Sequence, residues 1–170
     1  MKGVGVTALL VIVALAQVTV APLFTIRGAV PELGLLLLLL LALFAGPGSV
    51  MAGLPALALF QGFASDRAPG LLVIAYLPLL PFAAALEDWR VPLWEYPRAA
   101  IALVVAGFWL RGVLAFGAIA QGADPSFGAL VLDVLIPGAF LDLALLTVAY
   151  VPLRFIGWGG QRLSLQGSHY

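Results

Sequence analysis

Long apolar runs separated by short breaks constrain the fold of this chain more than any other feature. Six runs can be marked, over residues 3–21, 33–45, 50–64, 71–86, 99–120 and 127–156. A spanning helix needs ~20 apolar residues to cross ~30 Å of hydrocarbon, and charged residues then fall between such helices. Most charges here do fall in the breaks, which also hold prolines and glycines that end helices. The pattern predicts six transmembrane helices.

The composition is that of a membrane protein. Hydrophobic residues make up 64% of the chain and charged residues 9%, with a mean hydropathy of +1.15, whereas a soluble domain is about half apolar and roughly a quarter charged. Eight basic residues balance eight acidic ones, so no basic face is available for nucleic acid, and the absence of cysteine excludes disulfides and thiolate metal sites. We expect an all-α integral membrane protein with a single domain over residues 1–170, no cofactor and no metal.

Three segments need a more specific interpretation. Residues 3–21 could be a secretory signal, but the run is longer than a usual signal core and further runs follow, so an uncleaved first helix is the simpler prediction. In the last region we place residues 127–136 on the outer surface and begin the sixth helix at Pro137, because proline suits the first turn of a helix. The leucines at positions 35–41 are interpreted as part of a lipid-facing helix.

Basic residues predict the orientation, because Lys and Arg stay preferentially on the cytoplasmic side. With a cytoplasmic N-terminus, two arginines of the breaks lie outside, Arg27 and Arg67. Five basic residues then lie inside: Lys2, Arg90, Arg98, Arg154 and Arg162. The sequence therefore predicts an N-in, C-in topology.

Three polar residues are expected within or at the edge of the membrane: Arg111, Asp142 and Asp66. Arg111 lies 13 positions after Arg98, about 20 Å along a helix, and Asp142 reaches a similar depth from the outer end of the sixth helix. An ion pair between them would neutralise both, in a structural role or in a role towards a substrate or proton. Asp66 is expected to anchor the end of the third helix.

Catalysis is not indicated by the sequence. The one histidine, His169, lies next to the C-terminal residue, so no embedded base is available to a serine nucleophile. The acidic pair Glu87-Asp88 lies at a predicted interface, and no second acidic or histidine cluster joins it. We therefore expect a protein that is not an enzyme.

Short motifs follow one another in a distinctive order along the chain. They are Gln17 with Pro22, Pro31-Glu32, Gly-x-x-x-Asp at residues 62–66 with Pro69-Gly70, Ala75-Tyr76-Leu77, Pro137-Gly138 followed by Asp142, and Tyr-x-Pro-Leu-Arg at residues 150–154. Over nearly the whole chain this order resembles MreD, a multi-span membrane family of the bacterial rod-shape system. The chain departs from the family at Asp142, where Asn is common, in the weakly charged turn at residues 46–49, and in Glu87-Asp88.

The resemblance implies a non-enzymatic scaffold of the bacterial inner membrane. Such a protein binds MreC and couples MreB filaments to RodA and its penicillin-binding transpeptidase, which build lateral peptidoglycan. The family is similar in fold to the substrate-binding S-components of energy-coupling-factor vitamin transporters, so a transport subunit is the alternative. Alanines of the first run contain no i, i+4 pair of the kind with which S-components dock their motor, which counts against transport.

Small residues let helices approach closely in lipid, and they are the candidates for contact with a partner helix. On the third run these are Gly53, Ala56 and Gly62, and on the fifth run Gly107 and Gly112. The sequence does not choose between contact with a partner and packing within the chain.

Overall fold

The part of the chain that the structure describes, residues 2–65, 67–88, 95–124 and 126–155 of a computed structural model, is helical and contains no β-sheet. The α-helices are α1 (Lys2–Thr19), α2 (Leu33–Ala45), α3 (Pro47–Ser65), α4 (Pro69–Tyr76), α5 (Leu79–Asp88), α6 (Glu95–Ala120), α7 (Phe127–Ala129) and α8 (Ile136–Phe155). A 3₁₀ turn, Ala21–Phe24, follows α1, and a π-helical segment, Leu130–Leu135, joins α7 to α8.

Three helical stretches are long and apolar enough to cross a membrane. They are Pro47–Ser65, Tyr96–Ala120 and Phe127–Phe155. Shorter apolar helical stretches are Gly5–Thr19, Leu33–Ala45 and Pro69–Ala85. The prediction of an all-helical protein with membrane-length apolar helices is therefore confirmed for the described residues.

Helix α2 is the centre of the bundle. It packs against α1, α3, α5, α6 and α8, and five consecutive leucines, at positions 35–39, are buried. A helix that is apolar on every side suits a position surrounded by other helices. The interpretation of this leucine run as a lipid-facing helix is wrong, because the neighbouring helices cover it.

The third helix begins earlier than the apolar run suggests. Gly46 adopts φ +89° and ends α2, and α3 then begins at Pro47. Proline is tolerated in the first helical turn, since its missing N–H has no partner there in any case. Only Gly46 interrupts the helices, so residues 47–49, predicted as part of a break, belong to α3.

The fourth run is divided into two helices at Leu77 and Pro78. A regular helix would use the N–H of Pro78 to satisfy the carbonyl of Ile74, and proline has none. Instead Leu77 N donates to this carbonyl at 3.3 Å, and the Trp109 Nε1–H of α6 donates to it at 3.1 Å. A neighbouring helix thus supplies the donor that proline removes, as an apolar environment requires.

Residues 127–136 are helical and continuous with the last helix, so the predicted start of this helix at Pro137 is wrong. Ile136 N–H donates to Val131 O, an i to i+5 bond that defines the π register. This register ends just before Pro137, whose missing N–H interrupts the regular ladder. The last helical stretch therefore begins at Phe127 rather than at Pro137.

Candidate functional site at the start of α2

Arg111 of α6 and Asp142 of α8 form a buried ion pair. Arg111 Nη1 lies 2.8 Å from Asp142 Oδ2, and the two side chains are only 5% and 2% exposed. Among the described residues no N–H is aligned with Oδ2 as a hydrogen bond, so this oxygen is held mainly by the opposite charge. The structure confirms the pairing that the similar depths of the two residues predicted.

Asp142 also holds the start of α2. Its Oδ1 accepts a hydrogen bond of 2.9 Å from the backbone N–H of Glu32, the residue that caps the N-terminus of α2. The side chain of Glu32 makes no capping bond itself. A carboxylate at this position satisfies a free N–H and is stabilised by the positive end of the helix dipole. Asp142 therefore joins α8 both to α6 and to α2.

Gln17 of α1 makes two further bonds to the same segment. Its Nε2 donates to Pro31 O at 3.0 Å, and its Oε1 accepts from Leu33 N at 2.7 Å. Arg111 Nη2 donates to Val30 O at 3.3 Å. We call Gln17, Arg111 and Asp142 the α2 clamp, because these three side chains, from three helices, hold the backbone of residues 30–33.

A tight turn directs residues 30–33 into the clamp. Ile26 N donates to Ala29 O at 3.0 Å and Ala29 N donates to Ile26 O at 2.9 Å. The two residues between them, Arg27 and Gly28, adopt φ +52° and +91°, the sign that a type I′ turn requires. The turn reverses the chain after the 3₁₀ turn, and Ala29 is fully buried as the chain returns to the bundle.

Two glycines leave space for the ion pair. A Cβ atom at Gly138 would lie 2.6 Å from Arg111 Nη2, and one at Gly107 would lie 3.0 Å from Arg111 Nη1 and 3.3 Å from Asp142 Oδ2. The guanidinium therefore lies directly against the backbone of α8. Pro137-Gly138, recognised in the sequence as part of a motif, has a packing role here.

A second polar contact lies beside the clamp. The Tyr76 hydroxyl of α4 donates to Gln61 Oε1 of α3, and both residues are buried. A Cβ atom at Gly34 would lie 2.6 Å from Tyr76 Oη and 3.2 Å from Gln61 Oε1. Glu32 is buried as well, at 7% exposed. The polar interior of the described bundle is thus concentrated around the first residues of α2.

The other end of α2 carries a different cluster, which we call the aromatic end. It consists of Phe44, Tyr96, Tyr150 and Arg154. The ring of Tyr150 lies 6.2 Å from that of Phe44 and 5.5 Å from that of Tyr96, and Arg154 Nη1 donates to Tyr150 Oη at 2.8 Å. The Tyr-x-Pro-Leu-Arg motif at residues 150–154 therefore folds so that its first and last residues contact each other.

The candidate partner residues are placed differently from one another. Gly53, Gly62 and Gly107 are buried and contact other parts of the chain, and Ala56 is half-buried. Gly112 is exposed, with nothing within 4 Å of a Cβ at that position. Partner binding stays a prediction for all five residues. Asp66 and the side chains of Glu87 and Asp88 lie outside the residues that the structure describes.

The sequence did not predict the structural roles of six residues in or beside the polar interior: Gln17, Glu32, Gly34, Gln61, Tyr76 and Gly138. A signal was present, because Gln17, Gln61 and Tyr76 are polar side chains within or beside apolar runs. In lipid such groups need a protein partner. The predicted polar residues of the membrane were chosen by charge, so these uncharged side chains were not among them.

The clamp is arranged to hold helices together. Each of its three side chains contacts another part of the same chain, and these contacts join α1, α2, α6 and α8. Among the described residues no group of three or more His, Cys, Asp or Glu side chains is placed to hold a metal ion. Comparisons with protein families, curated proteins and solved structures give no match for this chain.

Proposed function

We propose that this chain is a six-span protein of the bacterial inner membrane that acts as an MreD-like scaffold, binding the spanning helix of MreC and supporting lateral peptidoglycan synthesis. In this proposal the protein catalyses no reaction. Its contacts with RodA, the penicillin-binding transpeptidase and the MreB filaments are indirect, through the complex that contains MreC.

One observation carries the proposal: motifs on which the resemblance depends contact one another. Gln17 bonds to Pro31, and Glu32 bonds to Asp142. These motifs are separated by up to 110 positions in the sequence. Chance likeness between leucine-rich sequences gives no reason for such contacts, whereas a shared fold does.

The direction of the helices supports the six-span topology. Gln17, in the last turn of α1, bonds to Leu33, the first residue of α2. Gly62, near the end of α3, packs against Pro69, the first residue of α4. Gly117, near the end of α6, packs against Leu71, near the start of α4. These three contacts are the ones expected of crossings that alternate in direction. With the N-terminus inside, the α2 clamp lies in the outer half of the membrane.

Co-expression with MreC tests the proposal. A tagged copy of this chain should retain full-length MreC through detergent purification. Gly112→Leu adds a side chain at an open position of α6 and is expected to reduce MreC recovery if that face is used. Gly5→Leu on α1, another position with open space, is the matched control. Both variants should elute as folded protein.

Other outcomes would contradict the proposal. Failure to retain MreC under conditions that keep the chain folded would exclude the scaffold function. Copurification with an ATP-binding-cassette motor, or a retained vitamin, would establish the transport alternative. For the topology, cysteines near Lys2, Arg98 and Arg162 should be labelled only from the cytoplasm and one at Arg67 only from outside. External labelling of the C-terminus would overturn the six-span prediction.

A further inference from the structure

An open apolar groove lies between the turn at residues 26–29 and α8. Its volume is about 630 Å³. The turn contributes Ile26 and Arg27, and the last helical stretch contributes Leu132, Ile136, Phe140 and Ala144. These four residues are spaced four apart, so they form one stripe along the helix. The groove is thus a long channel rather than a round pocket.

The groove is long and apolar. The stripe from Leu132 to Ala144 extends over roughly 18 Å at 1.5 Å per residue. Apart from Arg27, the side chains that line it are apolar. A groove of this length and lining suits an extended acyl chain.

The charge at the groove has one sign. Among the described residues that line it, Arg27 alone is charged. Its side chain is exposed, and its guanidinium makes no ion pair with a described residue. Asp133 lies on the same π turn as Leu132 but does not line the groove. An occupant with an apolar chain and an anionic group would match both the wall and the charge.

The residues around Arg27 are suited to the membrane interface. Leu23, Phe24 and Ile26 expose more than half of their surface, which is costly in water and favourable among lipids. An arginine beside such residues extends towards phosphate groups, to which its guanidinium can donate two parallel hydrogen bonds. The turn thus places a cation where lipid headgroups meet acyl chains.

We propose that this groove is a binding site for an anionic phospholipid, with one acyl chain along the stripe from Leu132 to Ala144 and the phosphate on Arg27. The site is formed by the turn and α8 together. Because the α2 clamp holds residues 30–33, it also fixes the distance between Arg27 and α8. The proposal does not depend on the identity of the protein partner.

Native mass spectrometry of the detergent-purified full chain tests the site. Phosphatidylglycerol and phosphatidylcholine with identical acyl chains are added in equal amounts. We expect at least about a tenfold preference for phosphatidylglycerol, corresponding to ~1.4 kcal/mol. Arg27→Gln should abolish the preference. Arg67→Gln, which removes another exposed arginine, should retain it.

A second variant tests the groove without changing charge. Ala144→Phe places a ring in the channel at an exposed position of α8, so it should reduce retention of both lipids several-fold while the protein elutes normally. Wild-type lipid binding by both Arg27→Gln and Ala144→Phe would overturn the proposal. So would photocrosslinking from position 140 that captures a polypeptide rather than lipid, because the groove would then be a protein-docking surface.

Discussion

The two ends of α2 are both held by polar side chains from α6 and α8, but in different ways. At its start, the α2 clamp uses a charged pair that is at most 5% exposed and satisfies backbone groups of residues 30–33. At its other end, the rings of Tyr96 and Tyr150 pack at an angle of 53°, and the exposed Arg154 donates to the Tyr150 hydroxyl. One end thus depends on buried charge and the other on aromatic packing beside solvent or headgroups.

This difference has an energetic consequence. A charge left without its partner in a low-dielectric interior retains its desolvation cost, whereas a hydroxyl near the interface can exchange its partner for water. Equivalent deletions should therefore be far more damaging at the clamp than at the aromatic end. Three substitutions, in order of decreasing expected effect, test this contrast.

Asp142→Ala should cause the largest loss. It leaves Arg111 buried without its ion-pair partner and Glu32 N–H without an acceptor. The ~2.5–3.5 kcal/mol that a charge costs at the centre of a membrane is an upper limit for this loss. The free energy of unfolding in mixed micelles measures the effect. Asp142→Asn keeps an acceptor for Glu32 N–H and isolates the contribution of the charge.

A double-mutant cycle with Arg111→Ala separates the pair from its surroundings. We expect the two single losses to be far from additive, since either change strands the other charge. Additive losses would show that the contact contributes nothing. Exchanging the two charges should restore little, because an arginine at position 142 has no acceptor to offer Glu32 N–H.

Gly138→Ala should have an intermediate effect. Its methyl group would occupy the space of the Arg111 guanidinium, so that either the side chain or α8 must move, at a cost of ~1–3 kcal/mol. The same unfolding measurement checks this. Gly128→Ala is the matched control, because a Cβ there meets nothing within 4 Å. Equal stability of the two variants would contradict the close packing of Arg111 on α8.

Tyr96→Phe should have the smallest effect. Thr147 Oγ1 donates to Leu143 O at 2.9 Å, so the 2.7 Å contact between the two hydroxyls uses the proton of Tyr96. Removing it leaves Thr147 bonded, and interhelical bonds of this kind average ~0.6 kcal/mol. Tyr96→Leu, which also removes the ring beside Tyr150, should cost more. A loss from Tyr96→Phe as large as that from Asp142→Ala would remove the proposed contrast between the ends.

Much of the fold followed from one-dimensional features of the sequence. Apolar run lengths predicted membrane-length helices, and prolines and glycines located most of their ends, because these properties belong to individual segments. The Arg111–Asp142 pair also followed from the sequence. Counting residues along two helices gives their depths, and isolated charges at equal depth in an apolar medium have strong reason to meet.

The tertiary structure alone decided which helix faces are covered. Leucine has much the same affinity for lipid tails as for other leucines, so the composition of residues 35–39 could not show that α2 is central rather than lipid-facing. Nor could it show that Gly107 borders an ion pair while Gly112 is open. The α2 clamp depends on a turn at residues 26–29 that returns the backbone to three side chains distant in sequence. The sequence determined that polar groups inside the apolar bundle need hydrogen-bond or ion-pair partners. Which residues act as those partners was determined only by the packing of the helices.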